Sequence, residues 1–355
     1  MARREVANVV RSRMLRLSAA ARAGAVGALV VVLAACSGGG GQSTRSSPAP
    51  PAPASASRLQ QQYIDVVKSV GPSVVQVRDS QGLGSGIVFD TQGDIVTNDH
   101  VVRGASGFQI LLVSGKTYPA TLVGTFPPDD LAVLRIKATG LHPATFADSS
   151  KVQVGQIVLA IGSPLGLASS VTQGIVSAAG RTVTEPQGNA IPNVIQTSAA
   201  INPGNSGGAL VDLDGRVIGI PTLAATDPEL GGSAPGIGFA IPSNMAKDIA
   251  QQLVQHGHVV DSHRAYLGAT VGDTNAGGVL VVSVASGGPA DKAGIAPGDL
   301  ILAVNGTRTP TEAALGDALV QLKPGQTVKV SLMHQDGSRA TVQVTLGEYP
   351  GATSG

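Results

Sequence analysis

The sequence predicts a mostly β protein, and two observations support this prediction. Short runs rich in Val and Ile are separated by turn residues, as in Asp90-Thr91-Gln92-Gly93 and Asp212-Leu213-Asp214-Gly215. Of the 355 residues 47 are glycine, whereas the aromatic residues amount to five Phe, four Tyr and no Trp. Many short apolar runs with turn signals between them are typical of an all-β core. Aliphatic side chains must therefore form that core.

Several elements can be placed along the chain from the same apolar runs and their flanking Pro and Gly residues. We expect one short helix before the first strand, an amphipathic helix in the middle of the chain, and one helix followed by two strands near the end. Their expected bounds are 59–70 for the first helix, 74–77 for the first strand, 244–256 for the middle helix, 311–322 for the late helix, and 327–333 and 340–346 for the last strands.

The basic residues are concentrated at the N-terminus. Residues 1–35 carry six Arg and one Glu, which leaves 18 basic and 22 acidic residues, a balance of −4, in the rest of a chain whose net charge is +1. The remainder has no basic stripe with interleaved aromatic residues, and this argues against nucleic acid as a partner.

The first 35 residues have the layout of a bacterial export signal, a basic head followed by the apolar run 25–35. The motif Leu-Ala-Ala-Cys that ends at Cys36, the only cysteine, resembles a lipobox and implies lipidation of the thiol. Two alternatives fit the same residues: a cleaved signal with an incidental cysteine, and a membrane-spanning anchor. Arg22 leaves only about 13 apolar residues where ~20 are needed to span. Translation can begin at Met1 or at Met14.

Residues 36–58 are rich in Gly, Ser, Pro and Ala and predict a flexible tether. Farther along, three histidines, His256, His258 and His263, match no zinc spacing and lack a neighbouring Cys or carboxylate cluster. We interpret these histidines as linker residues and expect no metal site.

Three segments together predict nucleophilic catalysis: 97–102 with His100, 129–134 with two aspartates, and 204–208 (Gly-Asn-Ser-Gly-Gly) with Ser206. A serine hydroxyl needs a base, a group that orients the base, and donors for the oxyanion. Asp130 directly precedes an apolar run, so it is expected at the rigid edge of the core as the orienting carboxylate. Asp129 is expected to be its solvated neighbour.

With these segments the chain resembles the HtrA/Deg family of trypsin-like serine proteases. The resemblance extends through 81–88, 160–167 and 236–244, and covers nearly everything from about residue 60 to 348. It implies a chymotrypsin-like double β-barrel, with barrel one near 72–148 and barrel two near 150–241, inside a protease domain at 59–257.

The resemblance also assigns roles to single residues. It implies that His100 is the general base, Asp130 its orienting group and Ser206 the nucleophile, with the backbone N–H groups of Gly204 and Ser206 as the oxyanion hole. The mechanism it implies is acyl transfer through a covalent intermediate without a cofactor.

Regulation is expected to differ from that of digestive trypsin-like enzymes. Those enzymes carry Asp before the nucleophile and pair it with a newly cut N-terminus, a pair that Asn205 cannot form. Another device must therefore order the oxyanion loop. The family resemblance implies an allosteric loop switch in which Arg181 links a sensor loop to the active site; an ordinary solvated arginine is the alternative.

Substrate preference is predicted from the segment before the nucleophile. In the double-barrel geometry Ser198, Ala199, Ala200 and Ile201 would form the floor of the specificity pocket. Its far wall would come from 237–240, with Ile237 and Gly238 as the main candidates. This set contains no carboxylate, so a basic substrate side chain would lack a counter-charge. We expect cleavage after small or medium aliphatic residues.

The C-terminal segment 263–348 resembles a PDZ domain, a small β-sandwich-like barrel with helices. The resemblance depends on 266–269 (Tyr-Leu-Gly-Ala) and on 288–306. The backbone N–H groups of Leu267, Gly268 and Ala269 would bind the carboxylate of a C-terminal peptide that adds to the strand edge. A PDZ fold that only docks on the protease is the alternative.

The predicted function is thus a serine endopeptidase that cleaves unfolded or misfolded extracytoplasmic proteins, tethered to the cell membrane by lipid at Cys36. Two alternatives share these features: a PDZ-bearing chaperone with little proteolysis, and a regulatory protease that makes one specific cut. The family resemblance further implies a homotrimer formed through N-terminal aromatic residues, for which Tyr63 and Phe126 are the candidates.

Overall fold

The computed structural model describes residues 54–80, 82–163, 170–184, 190–202, 204–227 and 232–350. Cys36, the predicted export signal and most of the predicted tether lie outside the described residues. Helix α1 spans Ala54–Val70, so it begins earlier than expected and includes the last residues assigned to the tether. Among the described residues, no helix combines the length and the apolar character needed to cross a membrane.

Six antiparallel strands close the first barrel, in the order β1-β2-β3-β6-β5-β4. Val75 and Val77 of β1 point into the barrel, whereas Val74 faces the larger core between the two barrels, as the two-residue period of a strand requires. The strands are β1 Val74–Arg78, β2 Leu83–Val88, β3 Asp94–Thr97, β4 Phe108–Leu111, β5 Thr117–Phe126 and β6 Leu131–Ile136. A one-turn helix, α2 (Asp99–Val102), follows β3.

The second barrel is closed in the same way, in the order β10-β11-β12-β9-β8-β7. Its strands are β7 Ile157–Gly162, β8 Ser170–Thr184, β9 Ala190–Thr197, β10 Ala209–Val211, β11 Val217–Asp227 and β12 Gly232–Pro242. Helix α3 (Ser243–His256) follows, and Gly257 at φ 76° ends it in the left-handed conformation that glycine accommodates best. Its apolar face packs into the core between the barrels.

The two turns predicted from the sequence form as expected. The Asp90 carboxylate accepts hydrogen bonds from the N–H groups of Gln92, Gly93 and Asp94 at 2.9, 3.1 and 3.1 Å. Asp212 does the same for the second turn. Each Asp side chain thus replaces a backbone acceptor in a tight hairpin.

The C-terminal domain contains a sheet in the order β14-β15-β16-β18-β19, with β17 on β16, and a separate pair of β13 and β20. Its elements are β13 Ala265–Tyr266, β14 Ala269–Asp273, β15 Val279–Val284, α4 Pro289–Lys292, β16 Leu300–Val304, β17 Thr307–Arg308, α5 Glu312–Val320, β18 Thr327–Met333, β19 Arg339–Thr345 and β20 Gly347–Glu348. The late helix and the last two strands therefore lie within one or two residues of their predicted bounds.

Both aromatic candidates for an oligomer interface are used within the chain. Phe126 is fully buried and lies edge-to-face with Tyr349, at 6.2 Å between ring centroids. Tyr63 on α1 is partly buried against the core between the barrels. Phe126 therefore offers no free surface to a second copy.

Candidate active site

His100 and Asp130 are in direct contact. His100 lies on α2, and Asp130 ends the turn that leads into β6, where it has a left-handed backbone (φ 51°). One carboxylate oxygen of Asp130 lies 2.8 Å from His100 Nδ1, and the other accepts the His100 backbone N–H at 2.9 Å. This geometry places a proton on Nδ1 and leaves Nε2 as the acceptor, the tautomer that a general base requires.

Asp130 is held from two further directions. Thr222 on β11 donates its hydroxyl proton to Asp130 Oδ2 at 2.5 Å, and the Asn98 side-chain amide donates to the Asp130 carbonyl at 2.9 Å. The carboxylate is fully buried, and the hydrogen bonds from His100 and Thr222 replace the solvent it has lost. The bond from Asn98 holds the Asp130 backbone. Sequence reasoning missed Thr222, since a single threonine inside an apolar strand gives no signal of its partner 92 residues away.

The expectation of a solvated Asp129 is wrong. Asp129 has only 1% of its surface exposed, and its carboxylate is paired with the guanidinium of Arg264. Burial raises the pKa of the Asp129 carboxyl, and the charge of Arg264 opposes that rise. The two neighbouring aspartates therefore have different partners: Asp130 holds His100, and Asp129 holds the segment ahead of the C-terminal domain.

Asp99 is a third carboxylate beside His100. Arg103 donates two hydrogen bonds to it, at 2.8 and 2.6 Å. Burial raises the pKa of the Asp99 carboxyl, while the hydrogen bonds from Arg103 lower it. Asp99 is thus paired with its own helix neighbour.

Ser206 lies on a loop of barrel two that faces His100. The two residues line one cleft of about 280 Å³, together with Gly204, Leu83 and others. The Ser206 hydroxyl donates a long hydrogen bond, 3.3 Å, to the carbonyl of Thr222. Thr222 therefore contacts both Asp130, through its side chain, and Ser206, through its backbone.

Glycine is needed beside Ser206 because the loop approaches barrel one closely. Gly207 has φ 80°, and a Cβ atom there would lie 2.2 Å from the Ser85 carbonyl oxygen. Gly204 has φ 98°. No described residue accepts a hydrogen bond from the backbone N–H of Gly204 or Ser206. These two amides are available to an oxygen atom in the cleft.

The predicted specificity residues have different environments. Ala199 is fully buried and Gly238 is buried near it, whereas Ala200 and Ile237 are exposed. Ser198 is exposed, and its hydroxyl accepts the N–H of Ile175 on β8 at 3.0 Å. The Ser198 hydroxyl is therefore engaged with β8.

Ile201, the last residue of the predicted pocket floor, lies directly on Gly238. A Cβ atom at residue 238 would come within 2.4 Å of Ile201 Cγ1. The Ile201 side chain is buried in the cluster that contains Ala199. Ile201 thus occupies space between the segment ahead of Ser206 and the strand β12.

Arg181 is exposed on β8, in register with Val194 of β9. The next residue, Thr182, accepts a weak hydrogen bond of 3.4 Å from the Gln321 side chain at the end of α5. This part of β8 therefore borders the C-terminal domain.

The segment Leu267-Gly268-Ala269 leads into β14, which is an edge strand of the C-terminal sheet. The carbonyls of Leu267 and Gly268 accept the N–H groups of Ala290 and Ala285, at 2.9 and 2.8 Å. Within the described part of the chain, the N–H groups of Leu267 and Gly268 donate to no acceptor. Gly268 has φ 79°, and a side chain there would lie 2.9 Å from Pro289.

Two six-stranded barrels with a His–Asp pair and a serine in one cleft define the class of trypsin-like serine peptidases. Comparisons with known proteins agree with this class. A trypsin-like peptidase domain matches residues 84–220, and a PDZ domain matches residues 265–346. The chain is 39% identical over 277 residues to the serine endoprotease DegS of Escherichia coli, covering 76% of this chain and 77% of DegS.

A probable periplasmic serine endoprotease of the DegP-like type from Marinomonas is 41% identical over 279 residues, which cover 76% of this chain and 57% of that protein. Two solved structures are also similar. The HtrA-type protease AlgW with a decapeptide is 31% identical with a TM-score of 0.58, over 81% of this chain and 99% of AlgW. A serine endoprotease from Yersinia pestis is 37% identical with a TM-score of 0.57, over 81% and 98% of the two chains. The chain belongs to the HtrA family of serine endoproteases.

Proposed function

We propose that this endopeptidase cleaves peptide bonds through a His100–Asp130–Ser206 triad. The observation that carries the proposal is the 2.8 Å contact between His100 Nδ1 and the fully buried Asp130 carboxylate, in the cleft that Ser206 lines. His100 Nε2 takes the Ser206 proton as Oγ attacks the substrate carbonyl, and it returns that proton to the leaving amine. Water then hydrolyses the acyl-enzyme by the same route.

We assign to the backbone N–H groups of Gly204 and Ser206 the stabilisation of the negative charge that develops on the substrate carbonyl oxygen. Both residues line the cleft, and no described acceptor competes for these donors. A preorganised pair of donors is effective in such a site because it needs no reorientation during the reaction.

The substrates proposed are unfolded or misfolded proteins, cut after small or medium aliphatic residues. Ala200 and Ile237 expose small or apolar side chains, Ala199 and Gly238 are buried beside them, and none of the four carries a carboxylate. Ser198 is the least direct member of the pocket, because its hydroxyl is bonded to β8.

The PDZ domain is proposed to bind the C-terminal carboxylate of a peptide at Leu267, Gly268 and Ala269. The two unengaged N–H groups and the edge strand β14 support β-addition of an extended peptide. Arg181 would pass this occupancy on to the active-site loops, and its position beside the border with α5 is consistent with that role.

An extracytoplasmic location is proposed from the export-type N-terminus and from the periplasmic relatives. Export by a signal over 1–35, lipidation at Cys36 and a tether that ends at the start of α1 would hold the enzyme at a membrane. A homotrimer is the proposed assembly, since the family resemblance implies one.

Cleavage of unfolded casein by residues 54–355 tests the catalytic proposal, with Ser206→Ala as the matched inactive variant. The substitution removes one hydroxyl, so the variant should stay folded while turnover falls by several orders of magnitude. Turnover near that of the unmodified chain would overturn the triad. A ladder of aliphatic cut sites would indicate quality control, whereas a single cut would indicate a regulatory protease.

A further inference from the structure

Ser85 on β2 connects barrel one to the loop that carries Ser206. The residue is fully buried. Its hydroxyl donates to the Gly204 carbonyl at 2.5 Å, and its backbone N–H donates to the Ser206 carbonyl at 2.9 Å. Ser85 thus holds the carbonyls on both sides of Asn205.

These two contacts fix the orientation of the peptide groups around the nucleophile. Each peptide group is planar, so these bonds fix the peptide planes 204–205 and 206–207. The two planes lie on either side of the peptide that carries the Ser206 N–H, and Ser85 therefore restrains that N–H from both neighbours. Gly204 has φ 98° and lacks a Cβ atom, so its own conformational preference does not hold this loop in one state. The restraint must come from outside the loop. Ser85 supplies it on the side of barrel one, while the Pro221 carbonyl on β11 accepts the Gly207 N–H at 3.0 Å.

The Ser85 hydroxyl is itself oriented by barrel two. It accepts the backbone N–H of Ser163 at 2.8 Å, and the Ser163 carbonyl accepts the side-chain amide of Gln76 at 2.8 Å. With its acceptor side occupied by Ser163, the hydroxyl proton points to the Gly204 carbonyl. The chain of hydrogen bonds therefore runs from the end of β7 through Ser85 to the nucleophile loop.

Asn205 supplies a weaker restraint of its own. Its side chain is buried against Gly162, and its amide donates to the Ala200 carbonyl at 3.4 Å. An ion pair is impossible for this neutral amide. The two bonds from Ser85, at 2.5 and 2.9 Å, are both shorter than this bond from the Asn205 side chain.

We propose that Ser85 is a positioning residue that sets the oxyanion-hole geometry of Gly204 and Ser206 from the opposite barrel. The proposal rests on the proposed roles of these two residues. Removing the Ser85 hydroxyl breaks its bonds to the Gly204 carbonyl and the Ser163 N–H, and leaves the backbone bonds of Ser85 to Ser206 and Thr97 in place. This change at the nucleophile loop should weaken binding of the transition state more than binding of the substrate.

Ser85→Ala in residues 54–355 tests the proposal with an aliphatic peptide substrate and with a peptide boronic acid that forms a tetrahedral adduct on a serine Oγ. We expect kcat to fall ten- to a hundredfold, with KM changed by less than about threefold. Boronate affinity should fall by about the same factor as kcat. The pH at half-maximal kcat/KM should stay constant, because the His–Asp pair is untouched.

Ser243→Ala is the matched control. Ser243 is also fully buried, and its hydroxyl donates to the Ala147 carbonyl at 2.8 Å, away from the cleft. Ser243→Ala should lower the melting temperature by about as much as Ser85→Ala does, while kcat and the affinity for the boronate stay unchanged. Ser85→Cys keeps the volume of the side chain with a weak donor, and provides the same comparison if Ser85→Ala does not fold.

The outcomes separate the inference from the proposal beneath it. If Ser206→Ala is inactive while Ser85→Ala or Ser85→Cys is fully active, the proposed role of Ser85 is wrong and the triad still stands. Active Ser206→Ala would overturn the triad itself. Equal losses of kcat in Ser85→Ala and Ser243→Ala would reduce Ser85 to a packing residue.

Discussion

Arg264 binds Asp129, the residue next to the His100 partner Asp130. One guanidinium nitrogen of Arg264 donates to the Asp129 carboxylate and, at 2.7 Å, to the Pro128 carbonyl. A second guanidinium nitrogen, Nη2, donates to the Ala190 carbonyl at the start of β9. The segment ahead of the PDZ domain is thereby joined to both barrels at the turn that positions Asp130.

Arg264→Met should destabilise the fold by about 3–5 kcal/mol, because it leaves the Asp129 carboxylate buried without its partner. Arg264 has only 15% of its side chain exposed, and Asp129 only 2%. Urea unfolding of residues 54–355 measures the change. Lys151→Met, which removes the exposed pair with Asp148, is the control and should have little effect. Equal free energies of unfolding for Arg264→Met and Lys151→Met would show that the buried ion pair contributes no more to stability than the exposed one.

The cost of Arg264→Met should depend on pH. The pKa of Asp129 is raised by burial, so the folded state favours the protonated acid and loses stability as pH rises through that pKa. Removing Arg264 removes the charge that opposes this rise. The stability gap between the variant and the unmodified chain should therefore be largest near neutral pH and should narrow as the pH falls. A gap that is constant with pH would point to lost packing alone.

Thr222→Val should lower kcat/KM about tenfold or more, because it replaces the hydroxyl that donates to the Asp130 carboxylate by a methyl group of similar size. Steady-state kinetics on an aliphatic peptide measures the loss. Thr309→Val removes a buried hydroxyl in the PDZ domain, where it donates to the Ile301 carbonyl at 3.3 Å. If kcat/KM falls by a similar factor in Thr222→Val and Thr309→Val, the loss reflects general destabilisation and not the bond to Asp130.

The sequence predicts the parts of this fold and site that depend on local patterns. The Asp-Gly turns, the helix that ends at Gly257 and the last strands each have a short signal, and the structure contains all of them. Order along the chain also singled out His100 and Asp130, which the structure places in contact.

Partners far apart in the chain could not be predicted in the same way. The contact of Ser85 with Gly204 spans 119 residues, and that of Arg264 with Asp129 spans 135. In neither pair does the local sequence around one residue indicate which residue it contacts. The two residues of each pair come together only when the chain has folded into its barrels. For Asp129 its place in a loop predicted exposure to solvent. The arginine that covers it lies at the start of the predicted PDZ domain, 135 residues farther along the chain.

Ile201→Val should shift the specificity pocket toward larger side chains. Ile201 Cγ1 faces Gly238, and Ile201→Val removes the Cδ1 methyl group attached to that atom, which enlarges the space beside Gly238. The ratio of kcat/KM for Leu over Val before the cut should rise by about tenfold. Ile218→Val makes the same truncation in the same hydrophobic cluster and should leave the ratio unchanged. A ratio that is equal in both variants would remove Ile201 from the pocket.

Cys36→Ser should release the full-length protein from the membrane fraction, because the thiol is the proposed site of lipid attachment. Fractionation of expressing bacterial cells, followed by detergent extraction, measures the release. Ser37→Ala is a control that keeps the cysteine and should stay in the membrane. Continued detergent-dependent retention of Cys36→Ser would favour a spanning anchor.

Arg181→Ala should lower the turnover that C-terminal peptides stimulate, while thermal stability stays the same. The side chain is exposed on β8, so its removal opens no cavity, and the border with α5 lies one residue farther on, at Thr182. Casein cleavage, titrated with hydrophobic C-terminal peptides, gives the degree of stimulation. Arg339→Ala removes an exposed arginine from the PDZ strand β19 and should leave stimulation intact. If stimulation survives in Arg181→Ala as fully as in Arg339→Ala, PDZ occupancy must reach the active site by a route without Arg181, and the contact of Arg264 with Asp129 becomes the route to test.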